Sequence, residues 1–338
     1  MTKDKPITQL NTDRFSRNIS YLRVSVTDRC NLRCFYCVPE EGLPFLGHKD
    51  VLSYEEITAI VQAGVRLGIQ KVRITGGEPL VRKGIEELVA SISALPEIKD
   101  LAMTTNGVRL ASMAHSLKKA GLHRVNVSLD SMKPEVFEKI TGRNHCQDVK
   151  DGIEAALDAG LTPVKINVVA VAGVNDCEFA DFAKLTMDKP VSVRFIEYMP
   201  IGKNMHWAED RSISSREIRE IIEKQLGPMT PVTEHGPLDG PARRFSLPGA
   251  QGEIGFINAI SGHFCSTCNR LRLTADGKVR PCLFSDKEID VRSVLRNGGG
   301  PSDLDAVFAQ AIAQKPRGLD SAKSEKPGCD RSMSSIGG

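Results

Sequence analysis

Residues 30–37 read CNLRCFYC and place thiols at Cys30, Cys34 and Cys37; a second set, Cys265, Cys268 and Cys282, stands in CSTCNRLRLTADGKVRPC. Three thiols within eight residues of a loop are metal ligands before they are core residues. Each set offers three sulfurs where a structural zinc site takes four protein ligands, and an iron–sulfur cluster on three cysteines keeps one iron open. Spacing alone leaves zinc and iron level for the first set. For the second, His263 stands two residues before Cys265 and could complete a Cys3His zinc site. Between the later cysteines, NRLRL puts Arg270 and Arg272 on one face of a strand, because alternate side chains point the same way. Paired guanidinium groups suit a polyphosphate; the bland alternative is two solvated arginines.

The elements that position these groups are legible from composition and periodicity. The chain has 338 residues, 41% of them hydrophobic, and a net charge of +3 from 45 basic and 42 acidic side chains. That is a globular composition, and its charge is too small to argue for nucleic acid or an anionic membrane as partner. No apolar run is long enough to cross a bilayer, and the first residues lack a secretory signal, so a cytoplasmic location is expected. In that compartment disulfides are rare, which leaves Cys146, Cys177 and Cys329 as plain thiols.

Strand patterns at 21–27, 71–75, 101–105, 124–129, 164–171 and 191–199 alternate with helical ones at 53–68, 82–94, 109–119 and 178–187, with further helical pieces up to 159. Ser53 and Glu56 read as a capping box. Six βα units predict an α/β fold, a partial (βα)6 TIM-like barrel with an open side, and the cysteine loop after strand one falls on the rim where such barrels keep their active sites. The pattern changes near residue 205. The expected division is an N-terminal extension (1–20), the barrel (21–205), a smaller C-terminal domain covering the open side (206–320), and a mobile polar tail (321–338) ending in Gly-Gly. Asp276-Gly277 predicts a hairpin that folds Cys282 back toward Cys265 and Cys268.

C-x3-C-x2-C with Tyr36 before its last cysteine, ITGGEPL (74–80), NVSLD (126–130) and EYMP (197–200) together resemble the radical S-adenosylmethionine (SAM) enzymes. With TDRCNLRCFYC, the second cysteine set and the terminal SIGG, the chain is similar over nearly its whole length to the branch of that family whose members cyclise GTP at the start of molybdenum cofactor synthesis. The resemblance implies a lyase with two 4Fe-4S clusters. Cys30, Cys34 and Cys37 would hold the one that binds SAM, with Tyr36, Gly77, Ser128 and Met199 around SAM. Cys265, Cys268 and Cys282 would hold the other, its open iron facing the purine. GTP would meet Arg23, Arg73, Thr104, Lys165, Arg270, Leu271 and Arg272, while Arg194, Gly337 and Gly338 would serve the reacting centre. By the same resemblance, a carbon radical made from SAM removes the 3′ hydrogen of the ribose, C3′ joins C8 of guanine, and reduction gives 3′,8-cyclo-7,8-dihydro-GTP. An electron donor and a downstream pyranopterin-forming enzyme would be its partners; a homodimer is compatible with the sequence, and neither nucleic acid nor membrane is implied. Two alternatives stay open: another radical SAM enzyme with an auxiliary cluster, such as a peptide-modifying maturase, and a zinc-bearing nucleic-acid module. The module would explain the cysteines and arginines but not the strand-end motifs.

Overall fold

The computed structural model describes residues 11–38, 42, 45–199, 201, 211–234, 236, 239–318, 329 and 331–337. Six parallel strands lie side by side in chain order: β1 (Tyr21–Ser25), β2 (Lys71–Thr75), β3 (Asp100–Thr105), β4 (Arg124–Ser128), β5 (Val164–Ala170) and β6 (Val191–Glu197). Helices α1 (Tyr54–Arg66), α2 (Ile85–Ser93), α3 (Leu110–Lys119), α4 (Pro134–Thr141), α5 (Cys146–Asp158) and α6 (Phe179–Asp188) make the crossovers. Their starts are set locally. Ser53 caps α1 by accepting from the Glu56 N–H while Glu56 reaches back to Ser53 N. Ser214 and Glu217 repeat that box at α7 (Ser215–Leu226).

Alternation along these strands decides the cross-section. Leu22 and Val24, Val72 and Ile74, Leu101 and Met103, Val125 and Val127, and Val193 and Phe195 are fully buried in one core. The intervening positions carry Tyr21, Arg23, Lys71, Arg73, Thr104, Asn126, Ser128, Asn167 and Arg194, all of which line a central cavity. A TIM barrel fills its centre with branched apolar side chains; this one puts its apolar face outward and lines its interior with polar groups. The interior is therefore a chamber.

The C-terminal half does more than cover the open side. After β7 (Thr230–Pro231) and β8 (Arg243–Ser246), strand β9 (Glu253–Ile257) pairs parallel to β6, and β10 (Arg270–Leu273) pairs parallel to β1. Eight parallel strands thus run in the order β10-β1-β2-β3-β4-β5-β6-β9. Antiparallel strands finish each edge, β8 and β7 beyond β9, and β11 (Lys278–Arg280) and β12 (Ile289–Asp290) beyond β10. The expected hairpin exists: Gly277, at φ +76°, closes the turn from Thr274 to Lys278. Helices α8 (Val291–Arg296) and α9 (Pro301–Ala313) follow. The boundary expected at 205 is no break in packing, because Ile254, Phe256, Leu271 and Leu273 belong to the same core as the barrel strands.

Phe195 of β6 stacks on Phe256 of β9 at 5.9 Å and meets the edges of Phe179 and Phe182 at 5.2 and 6.5 Å. Phe195→Ala is expected to cost roughly 3–5 kcal/mol, the range for truncating a buried phenylalanine. Chemical denaturation should show one cooperative transition at a lower midpoint. Two transitions, with only the first moved, would mean that the halves fold apart.

Candidate active site

The first cysteine set occupies the loop leaving the C-terminal end of β1, and a second loop supports it. Gly77 N donates to Thr27 O at 2.6 Å and Glu78 N to Arg29 O at 2.8 Å. A Cβ on Gly77 would stand 2.4 Å from Arg29 O, so only glycine admits this approach. The Glu78 carboxylate accepts from Leu80 N (2.9 Å), Thr105 Oγ1 (2.7 Å) and Asn106 N (2.6 Å). Burial nevertheless pushes Glu78 up to about 7. Asn106 Nδ2, held there, donates to Asn31 Oδ1 at 2.8 Å and lies 3.7 Å from Cys30 Sγ. Tyr36 donates to Asp130 Oδ2 at 2.5 Å, and Asp130 also accepts from Val169 N at 2.8 Å. Sequence reasoning singled out neither Glu78 nor Asp130 nor Asn106, although the first two lie inside quoted motifs.

The second set lies at the opposite end of the chamber. Because β10 runs parallel to β1, Cys265 and Cys268 stand before its first residue, and the antiparallel β11 brings Cys282 back to that end. Two buried cations brace it: Lys315 Nζ donates to Arg270 O (2.7 Å) and Pro281 O (2.8 Å), and Arg17 Nη1 donates to Cys265 O (2.8 Å). Neither carries a sequence signal, since both contacts run to backbone carbonyls across the fold.

All six thiols line one cavity of about 340 Å³, together with Tyr36, Gly77, Ser128, Met199, Arg23, Arg73, Thr104, Arg194, Arg270, Arg272 and His263. The donor sets suit clusters. Burial, with Cys37 and Asp130 alongside, holds the Cys34 thiol well above its ordinary range. Burial pushes Cys37 up to about 12 despite donors on Ser334. Thiols this reluctant to ionise become thiolates when a cationic centre shares the site. At Cys268 burial also raises the thiol, but Lys315 and Arg270 outweigh it and the net shift is downward. Thiolates ranged along a cavity wall are the arrangement a polynuclear iron–sulfur cluster uses.

Between the two ends lies a cationic belt. Arg23, Arg194 and Arg272 are each less than a tenth exposed, and Asp100 pairs with Lys71 (2.9 Å) and Arg124 (2.6 Å). Arg73 Nε and Thr104 Oγ1 are buried without hydrogen-bond partners. Burial, then Arg194, Arg124, Arg73 and Lys71, depress Lys165 to about 6. Burial, then Arg73 and Arg124, bring Arg194 down to about 9. Such a belt has room and need for a multiply charged anion.

Two expectations change. Leu271 is fully buried in the core, because the alternation that turns Arg270 and Arg272 inward turns it outward. The terminal segment, expected as a mobile tail, is docked in its described part. Arg331 forks onto Asp276 (3.0 and 2.9 Å) and reaches Glu288 (2.8 Å), and Ile336 is 1% exposed. Gly337 O accepts from Arg23 Nη2 at 3.1 Å. Gly337 has φ +79°, and a Cβ there would meet Thr75 Oγ1 at 2.6 Å, so the residue fits only as glycine. Gly338 lies outside the described residues. Cys146 and Cys177 stand away from the cavity, whereas Cys329 Sγ accepts from Arg280 Nη2 at 3.2 Å beside the tail. Among the described residues no helix is long and apolar enough to cross a membrane.

Comparison with known proteins agrees with this geometry. The Radical SAM superfamily model matches residues 24–186, and the Molybdenum Cofactor Synthesis C model matches 191–321. The GTP 3′,8-cyclase of Alkaliphilus oremlandii is 52% identical over 326 residues, covering 96% of this chain and 99% of the relative. The chain belongs to the GTP 3′,8-cyclase family. The member from Thermodesulfovibrio yellowstonii is 50% identical over 327 residues, with the same coverage of 96% and 99%. Among solved structures, SuiB of Streptococcus suis bound to the precursor peptide SuiA superposes with a TM-score of 0.60 at 14% identity, over 95% of this chain and 77% of that one. That likeness is one of fold.

Gly77→Ala is expected to push the loop at Arg29 outward and unseat Cys30. Iron after anaerobic reconstitution should fall from about eight to about four per chain, the content of one remaining cluster, with the circular dichroism spectrum unchanged. Full iron loading of the variant would show that the two loops need not touch.

Proposed function

We propose that this protein is a GTP 3′,8-cyclase, converting GTP with SAM into 3′,8-cyclo-7,8-dihydro-GTP in molybdenum cofactor synthesis. The observation that carries the reading is that two cysteine sets, at opposite ends of one chamber, flank a belt of buried arginines. A chain about half identical to curated cyclases over nearly its whole length supports the same reading. Cys30, Cys34 and Cys37 would hold the SAM-binding 4Fe-4S cluster, and Cys265, Cys268 and Cys282 the second. When bound, the first supplies the electron that cleaves SAM reductively to the carbon radical that starts the reaction.

The remaining task is positional, since C3′ and C8 that must join belong to one molecule. Tyr36, fixed by Asp130, and Gly77, Ser128 and Met199 would form the SAM wall. Arg23, Arg73, Arg270, Arg272, Thr104 and Lys165 would hold the phosphates. β1 spans about 13 Å between the two ends, at about 3.3 Å per residue, so a nucleotide held at mid-height can face both. Gly337, tied to Arg23, would bring the chain terminus and Gly338 to the ribose, with Arg194 nearby as a further cavity cation. A peptide substrate would have to cross this arginine belt, which suits polyphosphate better than backbone amides. An external electron donor and handover of the product to a pyranopterin-forming enzyme complete the proposal.

The direct test is anaerobic incubation of reconstituted protein with GTP, SAM and dithionite; failure to form 3′,8-cyclo-7,8-dihydro-GTP would exclude the reading. Deleting Gly337 and Gly338 should keep iron content and SAM cleavage while lowering cyclised product on the order of 100-fold, the scale for a misplaced reacting group. An undiminished product yield would make the terminus a bystander. Lys165 provides a pH test. With its amine depressed to about 6 it is mostly neutral at pH 7.5, and a phosphate beside it favours the charged form. GTP binding should therefore take up part of a proton, and affinity should fall as pH rises above 6. Calorimetry in buffers of different ionisation enthalpy should show this uptake, and Lys165→Arg, which stays charged, should reduce it by the share that Lys165 takes. Equal uptake in the variant would place the proton elsewhere.

A further inference from the structure

Assigning the phosphates to the arginine belt leaves Tyr21 among the cavity groups still without a task. Tyr21 precedes Arg23 by two residues on β1, so both side chains enter the chamber, and its register partners are Lys71 on β2 and Arg270 on β10. Lys71 Nζ lies 5.1 Å from the ring centroid, and the guanidinium carbons of Arg73 and Arg270 lie 5.6 Å from it. Tyr21 is 4% exposed and lines the cavity, and its buried hydroxyl has no acceptor for its proton, the neighbouring Arg23 being itself a donor.

A buried phenol in a folded protein normally finds a partner. Here the surroundings leave its O–H without an acceptor. The charged side chains facing it from β1, β2 and β10 are Arg23, Lys71, Arg73, Arg270 and Arg272, which donate and cannot accept. The carboxylate of this layer, Asp100 on β3, is engaged by Lys71 and Arg124. An O–H surrounded by donors has nothing to donate to until an acceptor arrives, and cations on three strands select an anionic one. Burial alone would raise this phenol, but Arg73, Arg23, Arg270 and Lys71 outweigh it and bring it down to about 7; a polyphosphate arriving beside it disfavours the phenolate and so holds on the ring the proton that is donated.

We propose that Tyr21 is a substrate-positioning residue whose hydroxyl donates a hydrogen bond to the polyphosphate of the bound nucleotide. The inference rests on the nucleotide reading above and adds a neutral donor among the charged ones. Its contribution would be directional: arginines attract the polyphosphate, and a phenol on a rigid strand accepts one placement of a phosphate oxygen.

The test is Tyr21→Phe in the full-length protein loaded with both clusters, titrated calorimetrically with GTP, inorganic triphosphate and guanosine. GTP and triphosphate should each bind about tenfold more weakly, the size of one hydrogen bond to a charged group, while guanosine binding stays unchanged. KM for GTP should rise by the same factor with kcat within about twofold, a split that general loosening of the barrel would not produce. Iron content equal to wild type verifies that the variant is folded, and Tyr21→Leu, which also lacks the hydroxyl, should reproduce the triphosphate loss. Unchanged or tighter triphosphate binding by Tyr21→Phe overturns the proposal, as does an equal loss for guanosine. A wild-type protein that binds inorganic triphosphate but not GTP would overturn the GTP reading instead, and the triphosphate arm would still decide the role of Tyr21.

Discussion

Mutual repulsion among cations buried in one chamber is the constraint around which the rest of this structure is arranged. Asp100 engages Lys71 and Arg124, while Arg23, Arg73, Arg270 and Arg272 face the same space. Left alone such an interior opposes folding, because guanidinium groups crowded together lose water and repel one another. The outward face of the strands offsets this with a continuous apolar layer beneath the helices, into which residues such as Val24, Ile74, Met103 and Phe195 are fully buried. Stability is thus built outside the barrel and binding inside it, the reverse of a barrel whose centre is packed. The same arrangement explains how a chain of net charge +3 can present a strongly positive site.

Each end of the chamber is held by atoms that do not belong to its cysteine loop. At the C-terminal end of β1, the Gly76-Gly77 loop lies against the backbone of Thr27 and Arg29, and Glu78 ties that loop to the end of β3. At the other end Lys315 and Arg17 take backbone carbonyls of the second loop. The described terminal segment then runs from the first of these ends into the middle of the chamber. Arg331 fastens it at the β10–β11 turn, Ser334 approaches Cys37, and Gly337 reaches Arg23 in the middle. A shift at the first loop would therefore be felt by Gly337, which gives its close fit a mechanical consequence as well as a steric one.

Much of this was legible beforehand, for reasons that are local. Six strands and their helices follow from hydrophobic alternation and from boxes such as Ser53–Glu56, which involve residues three apart. The cysteine sets and the motifs GGEPL and NVSLD are also contiguous. Leu271 shows the limit: read as part of NRLRL it belongs with its arginine neighbours, yet a strand turns alternate side chains to opposite faces and sends it into the core. Glu78 and Asp130 were in view as letters of a motif, but their work is done through partners 27 and 94 residues away, respectively Thr105 and Tyr36.

By itself the sequence determined the six βα units, the thiol sets and the basic residues, because each depends on residue type and short spacing. The tertiary structure decided that β9 and β10 extend the sheet at β6 and β1, that the two thiol sets face each other from opposite ends, and that residues 331–337 are docked. These outcomes rest on pairings such as Arg23 with Arg272 and Arg23 with Gly337, whose partners are brought together only by closing loops of most of the chain. No window of sequence contains both members of such a pair.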